Sequence, residues 1–440
     1  MCRCGSSCVP DRPDPTVQHL TPVERHLLQL PMLQPTDHMA MPFTTQSPAC
    51  EAYFETRDST GDPLVKIRDP DQVQAILHSK HAVRPALMRN IAGQSMVWID
   101  GPDWLIRRKM TQGSFQLHNE GRQRKAINWV ISGLMNRLDQ ASRTGEPCFL
   151  VDEFLRMTTR FLYRFAFDIA LPADHEKAPV VSAFFAAIFE LSYSMLDMSG
   201  PLDIAMHKRL KQTITNMESE IELIMQSDPA AGTLLHALRV GRESGEIDDS
   251  QVRDEVRGLF IAGTETTSLT LAWAFLLLGA HPTWRERVEK EVAAGGPTPE
   301  LEAVLNETLR LFPAVPFMTR MIEAPTDLGF EKFDQRTEFL ISVYHTHRNQ
   351  AHWRDPHTFD PSRFLGEQKR HRYAWLPFGG GRHLCIGQRV ARMEALDAMR
   401  AIIRQFRLHR ADDRDTTALM GITLMPSHPI AVTVERIAPA

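Results

Sequence analysis

The chain lacks a disulfide framework, blocks of like charge, internal repeats and any long apolar run, and each absence removes a class of protein. Six cysteines in 440 residues, three of them crowded at Cys2, Cys4 and Cys8, cannot staple a fold of this size and suit a reducing cytosol. Those three could bind a metal, but no partner histidine is nearby and the segment is polar and Pro-rich, so a disordered tail is the better reading. A net charge of −4 gives no case for a nucleic-acid partner. The longest apolar stretch, Leu269 to Ala280, falls well short of the ~20 residues of a membrane helix. The N-terminus has no charged-then-apolar layout, so no membrane anchor and a cytoplasmic location are expected. No Gly/Ser-rich linker divides the chain. The expectation is one domain over 51–440 behind an irregular segment 1–50, with a short helical patch around Val23–Leu30.

What is present is an ordinary globular composition, 43% hydrophobic and 24% charged, with ample material for a large core. Extended runs at Ala52–Arg57 and Pro63–Ile67 flank Asp58-Ser59-Thr60-Gly61-Asp62, a hairpin signal. Asp69-Pro70-Asp71 starts a helix to about Ser79, and 84–99 reads as a loop. From Asp103 to about Gln226 the pattern is mostly helical, with an apolar stretch at Phe184–Phe189 and a break at Ser199-Gly200-Pro201. A long helix follows from about Asp249 to Leu278, then one from His281-Pro282 and another over Pro299–Leu311. Short strands and turns reach Phe364. The last helix is Gly387–Phe406, with sheet-like segments at Ile422–Leu424 and Ile430–Val434. The fold class is mainly α with minor β.

One segment carries chemistry above all others: Phe378-Gly379-Gly380-Gly381-Arg382-His383-Leu384-Cys385-Ile386-Gly387. The glycines allow positive φ and a close approach to something flat and bulky. Gly387 opens an apolar-periodic helix, so Cys385 sits at its positive end, which favours a thiolate. A lone cysteine is most often a structural residue, but this loop presents it. There is no second cysteine or histidine at zinc spacing. A single thiolate suits a metal whose other ligands come from a macrocycle, which points to haem iron.

The pattern Phe378-x-x-Gly381-x-His383-x-Cys385-x-Gly387 resembles the haem-ligand signature of the cytochrome P-450 family. That resemblance implies the family fold, with a long central helix over a haem and a cysteine-ligand loop, and makes Cys385 the iron ligand. In the long helix, Ala262-Gly263-Thr264-Glu265-Thr266 puts hydroxyls and a carboxylate between apolar flanks, which is costly unless they are satisfied or used. The small Ala262 and Gly263 would let a ligand approach the backbone, and hydroxyls bonding to the preceding turn would bend the helix and leave carbonyls free for water. The segment is similar to the family's oxygen-activation motif, by which Thr266 would hydrogen-bond dioxygen over the haem and Glu265 would relay protons.

Glu307 and Arg310 share a helix face. With Arg363 in Phe359-Asp360-Pro361-Ser362-Arg363-Phe364 they resemble the family's structural trio that holds the ligand loop. Trp104 and Arg108 match its Trp-x-x-x-Arg, and with Arg320 and His383 they are expected to bind the two haem propionates. Arg107 and Lys109 read as solvated surface, or with Arg389 and Arg392 as a basic patch that steers an acidic donor. Phe317, Met318 and Ile422 are candidate pocket walls, along with the 84–98 loop and Phe184–Met198. Arg84 and Arg89 could anchor a carboxylate, though loop arginines are more often solvated.

The resemblance therefore implies a monooxygenase carrying haem b. It would insert one oxygen atom of O2 into a lipophilic small molecule such as a terpenoid, fatty acid or polyketide. The short link between Val292 and Glu302 resembles bacterial members served by a separate ferredoxin- or flavodoxin-type donor. Desaturation, ring rearrangement or coupling by the same oxidant is the alternative within enzymes. A haem sensor or electron carrier is the alternative outside them, and the acid–alcohol pair argues against it.

Overall fold

The computed structural model describes residues 53–57, 63–85, 89, 93–174, 204–367 and 369–437. The expected helical patch at Val23–Leu30, the apolar stretch Phe184–Phe189 and the break at Ser199-Gly200-Pro201 lie outside these residues.

Near the N-terminus, β1 (Tyr53–Arg57) and β2 (Pro63–Ile67) pair antiparallel, as the turn signal between them predicts. Helix α1 (Pro70–His78) starts where Asp69 caps it, accepting from the amides of Asp71 and Gln72, with Pro70 at its first position. Then come β3 (Ala82–Val83), α2 (Gly101–Gln112), α3 (Glu120–Thr144), β4 (Cys148–Phe149) and α4 (Leu150–Leu162). The central helices are α5 (Ile204–Gln226), α6 (Leu234–Glu243), α7 (Asp249–Gly263), α8 (Glu265–Ala280), α9 (Pro282–Ala294) and α10 (Pro299–Leu311).

Beyond them lie β5 (Phe317–Ile322), the small hairpin β6 (Thr326–Asp327) and β7 (Lys332–Phe333), and β8 (Glu338–Ser342). The chain closes with α11 (Gln388–Gln405), β9 (Phe406–Arg410), β10 (Ala418–Met420), β11 (Leu424–Pro426) and β12 (Ala431–Arg436). The larger sheet has the order β1-β2-β8-β5-β3, with β2 and β8 parallel and its other pairs antiparallel; a second joins β4, β12 and β9.

The helical core gathers around α8, whose stretch Leu269–Phe275, apolar apart from Thr270, is buried on every face. The stretch Asp249–Ala280 is long and apolar enough to cross a membrane, but 72% of its most apolar window is buried by the rest of the protein, as in a core helix. A second, smaller core packs the large sheet against α1. The segment 365–387, which carries Cys385, runs from the sheet core to α11 in the helical core.

The expected unbroken helix from Asp249 is in fact two. Thr264 leaves helical geometry at φ −116°, ψ −67°, separating α7 from α8. Glycine followed by hydroxyl residues is the cause: Thr264 Oγ1 donates to Phe260 O at 2.9 Å and Thr266 Oγ1 to Ala262 O at 3.0 Å.

Candidate active site

Cys385 lies three residues before the start of α11, and its backbone N–H donates to Phe378 O at 3.0 Å, closing the loop. Gly379 and Gly381 sit at φ +73° and +64°, the left-handed backbone expected of them. Two of the glycines also have a packing reason to be small. A Cβ on Gly380 would lie 2.6 Å from the Tyr373 ring, and one on Gly381 would overlap the Leu77 carbonyl oxygen. These glycines let the loop lie against α1 and the Tyr373 turn.

Burial pushes the Cys385 thiol up, while the amides of Gly387 and Gln388 and the Arg108 guanidinium pull it down. The residue nonetheless keeps open surface. Both hold for a thiol at the bottom of a recess within the molecule.

The loop is held by a buried polar network. Arg310 Nε and a terminal nitrogen each donate to Glu307 at 2.7 Å, with neither side chain exposed. Arg310 also donates to the carbonyls of His347, Pro356 and Thr358. Arg363 Nε reaches Glu307 Oε1 at 3.3 Å, and the Asp360 amide donates to the same oxygen at 2.8 Å. Glu307, Arg310 and Arg363 thus come together as predicted.

Sequence reasoning missed His347. Its Nε2 accepts from the Leu376 amide at 2.8 Å, so Nδ1 carries the proton toward Arg310 O at 3.1 Å. Burial lowers its pKa to about 3, which keeps it neutral. Through it, α10 grips the chain two residues before Phe378; a histidine before a long irregular stretch gives no local cue to that partner.

Trp104, Arg108, Arg320 and His383 also converge. The Trp104 and His383 rings meet edge to face at 4.5 Å, and Arg108 donates to Leu384 O at 3.0 Å. His383 Nε2 lies 2.7 Å from Asp100 Oδ1, poorly aligned for a hydrogen bond, and its Nδ1 has no partner among the described residues. Burial, with the Arg84 and Arg320 charges, lowers His383 to about 4 despite Asp100. Burial works against the Asp100 carboxylate too, but the contact with His383 and the Arg84 amide win and bring it to about 2.

Arg84 belongs to this cluster. It donates to Met96 O and Ile99 O and is lowered to about 9 by burial and then by Arg320. Burial likewise lowers Arg320 to about 10, with Arg382 adding to it. Arg320, Arg382 and Arg108 therefore stand near Arg84, and Asp100 is the carboxylate that acts on both Arg84 and Arg320. Partly buried cations in surplus fit a group bearing carboxylates. The donor set suits the two propionates of a haem whose iron faces Cys385.

The basic patch expected from Arg107, Lys109, Arg389 and Arg392 does not form. Arg107 is 2% exposed and paired with Glu255 at 3.0 Å, because α2 presents it to α7 rather than to solvent. Arg389 is occupied by Phe115 O, Gln116 O and Gln123, and Arg392 by Asn306 Oδ1 at 2.6 Å. Lys109 alone is exposed as expected.

On the other side, Ala262 is exposed and Gly263 and Thr266 are half-buried within an otherwise buried stretch, so they form the open face of the helix break. Gly263 has a packing reason to be small, since Leu162 Cδ1 would lie 3.2 Å from its Cβ. The hydroxyls of Thr264 and Thr266 bond back to the Phe260 and Ala262 carbonyls of the preceding turn, as expected. Glu265 is buried, and Thr423 Oγ1 donates to its Oε2 at 2.8 Å. Burial raises Glu265 to about 8, the Thr423 bond offsetting only part of it.

Of the pocket candidates, Ile422 is half-buried on the turn beside Thr423. Phe317 and Met318 are adjacent in β5, so the pleat sends them to opposite faces. Met318 packs on the sheet core, with its Sδ 3.6 Å from where a Gly379 Cβ would sit. It is a wall of the cysteine loop and cannot share one pocket wall with Phe317.

Comparison with known proteins agrees with this arrangement. The cytochrome P-450 family model matches residues 22–434. Cytochrome P-450 137 of Mycobacterium tuberculosis is 38% identical over 186 residues, which is 42% of this chain and 39% of that relative's length. Cyclooctatin synthase of Streptomyces melanosporofaciens is 28% identical over 346 residues, covering 72% of this chain and 73% of its own. A zebrafish cytochrome P-450 structure determined with progesterone superposes with a TM-score of 0.76 at 23% identity, covering 88% of this chain and 96% of its own. With its fold, its cysteine loop and a family match over nearly its whole length, this chain belongs to the cytochrome P-450 family.

Proposed function

We propose that the protein is a haem-thiolate monooxygenase that inserts one oxygen atom of O2 into a lipophilic small molecule. Residues 51–440 act as one catalytic unit. Cys385 ligates the iron of haem b, and Trp104, Arg108, Arg320 and His383 hold its propionates, with Phe378 and Gly387 shaping the loop beneath. The bound haem supplies the oxidising chemistry on O2. What this chain adds is proton control.

Glu265 carries the reading. A carboxyl raised to about 8 keeps its proton at neutral pH, and it sits at a helix break beside a hydroxyl on the open face. Glu265 delivers protons and Thr266 Oγ1 passes them into the recess. Ala262 and Gly263 leave room there. A haem sensor or an electron carrier needs no such pair.

The apolar character of Phe317 and Ile422 supports a lipophilic substrate, as do the names of two relatives, one a cyclooctatin synthase and one seen with progesterone. A separate ferredoxin- or flavodoxin-type donor is favoured by the short link between α9 and α10. The low cysteine count favours the cytoplasm.

The test is the visible spectrum of the purified protein, titrated with lipophilic acids, terpenoids and aromatics, followed by reconstitution with a donor. A haem band that moves toward high spin, and donor consumption that yields product, are expected. A folded protein that takes up no haem when haem is supplied would overturn the reading.

A further inference from the structure

Glu265, Leu269 and Trp273 stand at i, i+4 and i+8 of α8, on one stripe. All three reach the same short stretch of chain near the C-terminus. Glu265 Oε2 accepts from Thr423 at 2.8 Å, Leu269 and Trp273 form a small buried cluster with Met425, and Trp273 Nε1 donates to Leu424 O at 2.9 Å. From the other side, the Leu424 amide donates to Ala314 O at 3.0 Å, in the turn that leads into Phe317. Ile422, next to Thr423, is half-buried. This turn therefore touches the buried acid with one residue and the candidate substrate wall with the next.

Thr423 is itself 4% exposed. Valine has nearly the same shape as threonine, so packing alone does not call for a hydroxyl. The hydroxyl instead meets a carboxyl that has no other side-chain partner among the described residues. With Oε2 accepting from Thr423, the acid's own proton is left to Oε1. Losing Thr423 would free the carboxyl to rotate and to direct that proton elsewhere.

We infer that Thr423 is a positioning residue: it orients the Glu265 carboxyl for proton delivery and couples that orientation to whatever presses on Ile422. This rests on the reading of Glu265 as the relay acid. A substrate packed against Ile422 steadies the turn and with it the acid, so proton delivery is most accurate when the site is filled.

The experiment uses the full, haem-loaded chain with its donor, comparing Thr423→Val, Thr423→Ser, Glu265→Gln and Thr266→Ala. Three quantities are read: product formed per donor oxidised, the alkaline limb of the pH–rate profile, and the carboxylic-acid C=O band of Glu265 in infrared spectra without substrate. The Glu265→Gln variant assigns that band. Thr423 lowers the acid's pKa by donating to it, so Thr423→Val should move both the band's titration and the alkaline limb upward by about one pH unit. Product per donor should fall about 3- to 10-fold. Thr423→Ser should restore all three.

Should Thr423→Val fold poorly, Thr423→Ala provides a second variant without the hydroxyl and the same outcomes apply. An unmoved band and limb in the variant without hydroxyl, with Glu265→Gln still losing product, would overturn the inference alone. A Glu265→Gln variant with normal product yield would overturn the relay reading, and the inference with it.

Discussion

Glu307 and Glu265 are both glutamates on core helices and both buried, yet their surroundings are opposite. Glu307 takes two bonds from Arg310, one from Arg363 and one from the Asp360 amide. Glu265 takes one, from an uncharged hydroxyl, and burial raises it to about 8. A carboxylate surrounded by cations and amides is a fixed joint. A carboxyl left short of donors keeps its proton and can exchange it near neutral pH.

Glu394 shows that a starved acid is not enough. It is 2% exposed on α11, its Oε1 has no hydrogen-bond partner among the described residues, and burial holds it well above the usual range. What separates Glu265 is its place beside Thr266 on the open face of a broken helix. Partner supply sets the protonation; access decides whether it is used.

The largest effect expected is at Cys385, the proposed iron ligand. Cys385→Ser should abolish the thiolate signature of the reduced, CO-bound haem and all product formation. Unfolding temperature, measured without haem, should stay close to wild type, because a serine hydroxyl can accept from the Gly387 and Gln388 amides in place of the thiol. A variant with an intact thiolate spectrum would remove Cys385 from the iron.

Next comes the saturated side of the comparison. Arg310→Ala leaves Glu307 buried and frees three carbonyls, so it should cost about 3–5 kcal/mol in stability. Chemical denaturation and soluble yield check this, with haem retention falling alongside. An Arg310→Ala protein as stable as wild type would erase the distinction between a joint and a relay.

Glu265→Gln should do the reverse. Product yield should drop about 10- to 100-fold without loss of stability at neutral pH. The pH dependence sharpens the test. An acid of unfolded pKa ~4.3 that is raised to about 8 in the fold binds its proton more tightly when folded. It therefore contributes stability fully below about pH 4, and that contribution is lost as pH rises through about 8. Unfolding scans from pH 5 to 9 should show wild type losing stability relative to Glu265→Gln as the pH climbs; parallel curves would place Glu265 as an ordinary ionised carboxylate.

Motif positions were legible in the sequence because the chemistry needs particular residue types at short spacings. Cys385, the Glu265–Thr266 pair and the Glu307–Arg310 pair each declare themselves within a few residues. Helix α10 was readable to the residue because Pro299 and the preceding glycines punctuate it. What stayed hidden was set by contacts across long separations. Arg107 looked solvated because nothing near it in sequence reveals Glu255. Arg84 looked like a loop arginine because its carbonyl partners lie 12 and 15 residues on. Thr423 gave no signal at all, since its partner is 158 residues away. The break at Thr264 was half visible: the hydroxyls and glycine forecast a bend, but not an interruption of the regular helix at that one residue.

The smallest effect tests how far the saturation of Glu307 extends. Arg363 is its outer partner, 11% exposed and at 3.3 Å, against the fully buried Arg310 at 2.7 Å. Removing Arg363 leaves Glu307 with Arg310 and the Asp360 amide, so its charge remains compensated and water can reach the gap. Arg363→Ala should therefore cost only about 1–2 kcal/mol, and Arg363→Lys less. In a double-mutant cycle with Glu307→Gln, the coupling to Arg363 should be well below the coupling to Arg310. Equal couplings would mean that the trio acts as one unit, in which case bond number rather than burial decides how tightly the cysteine loop is held.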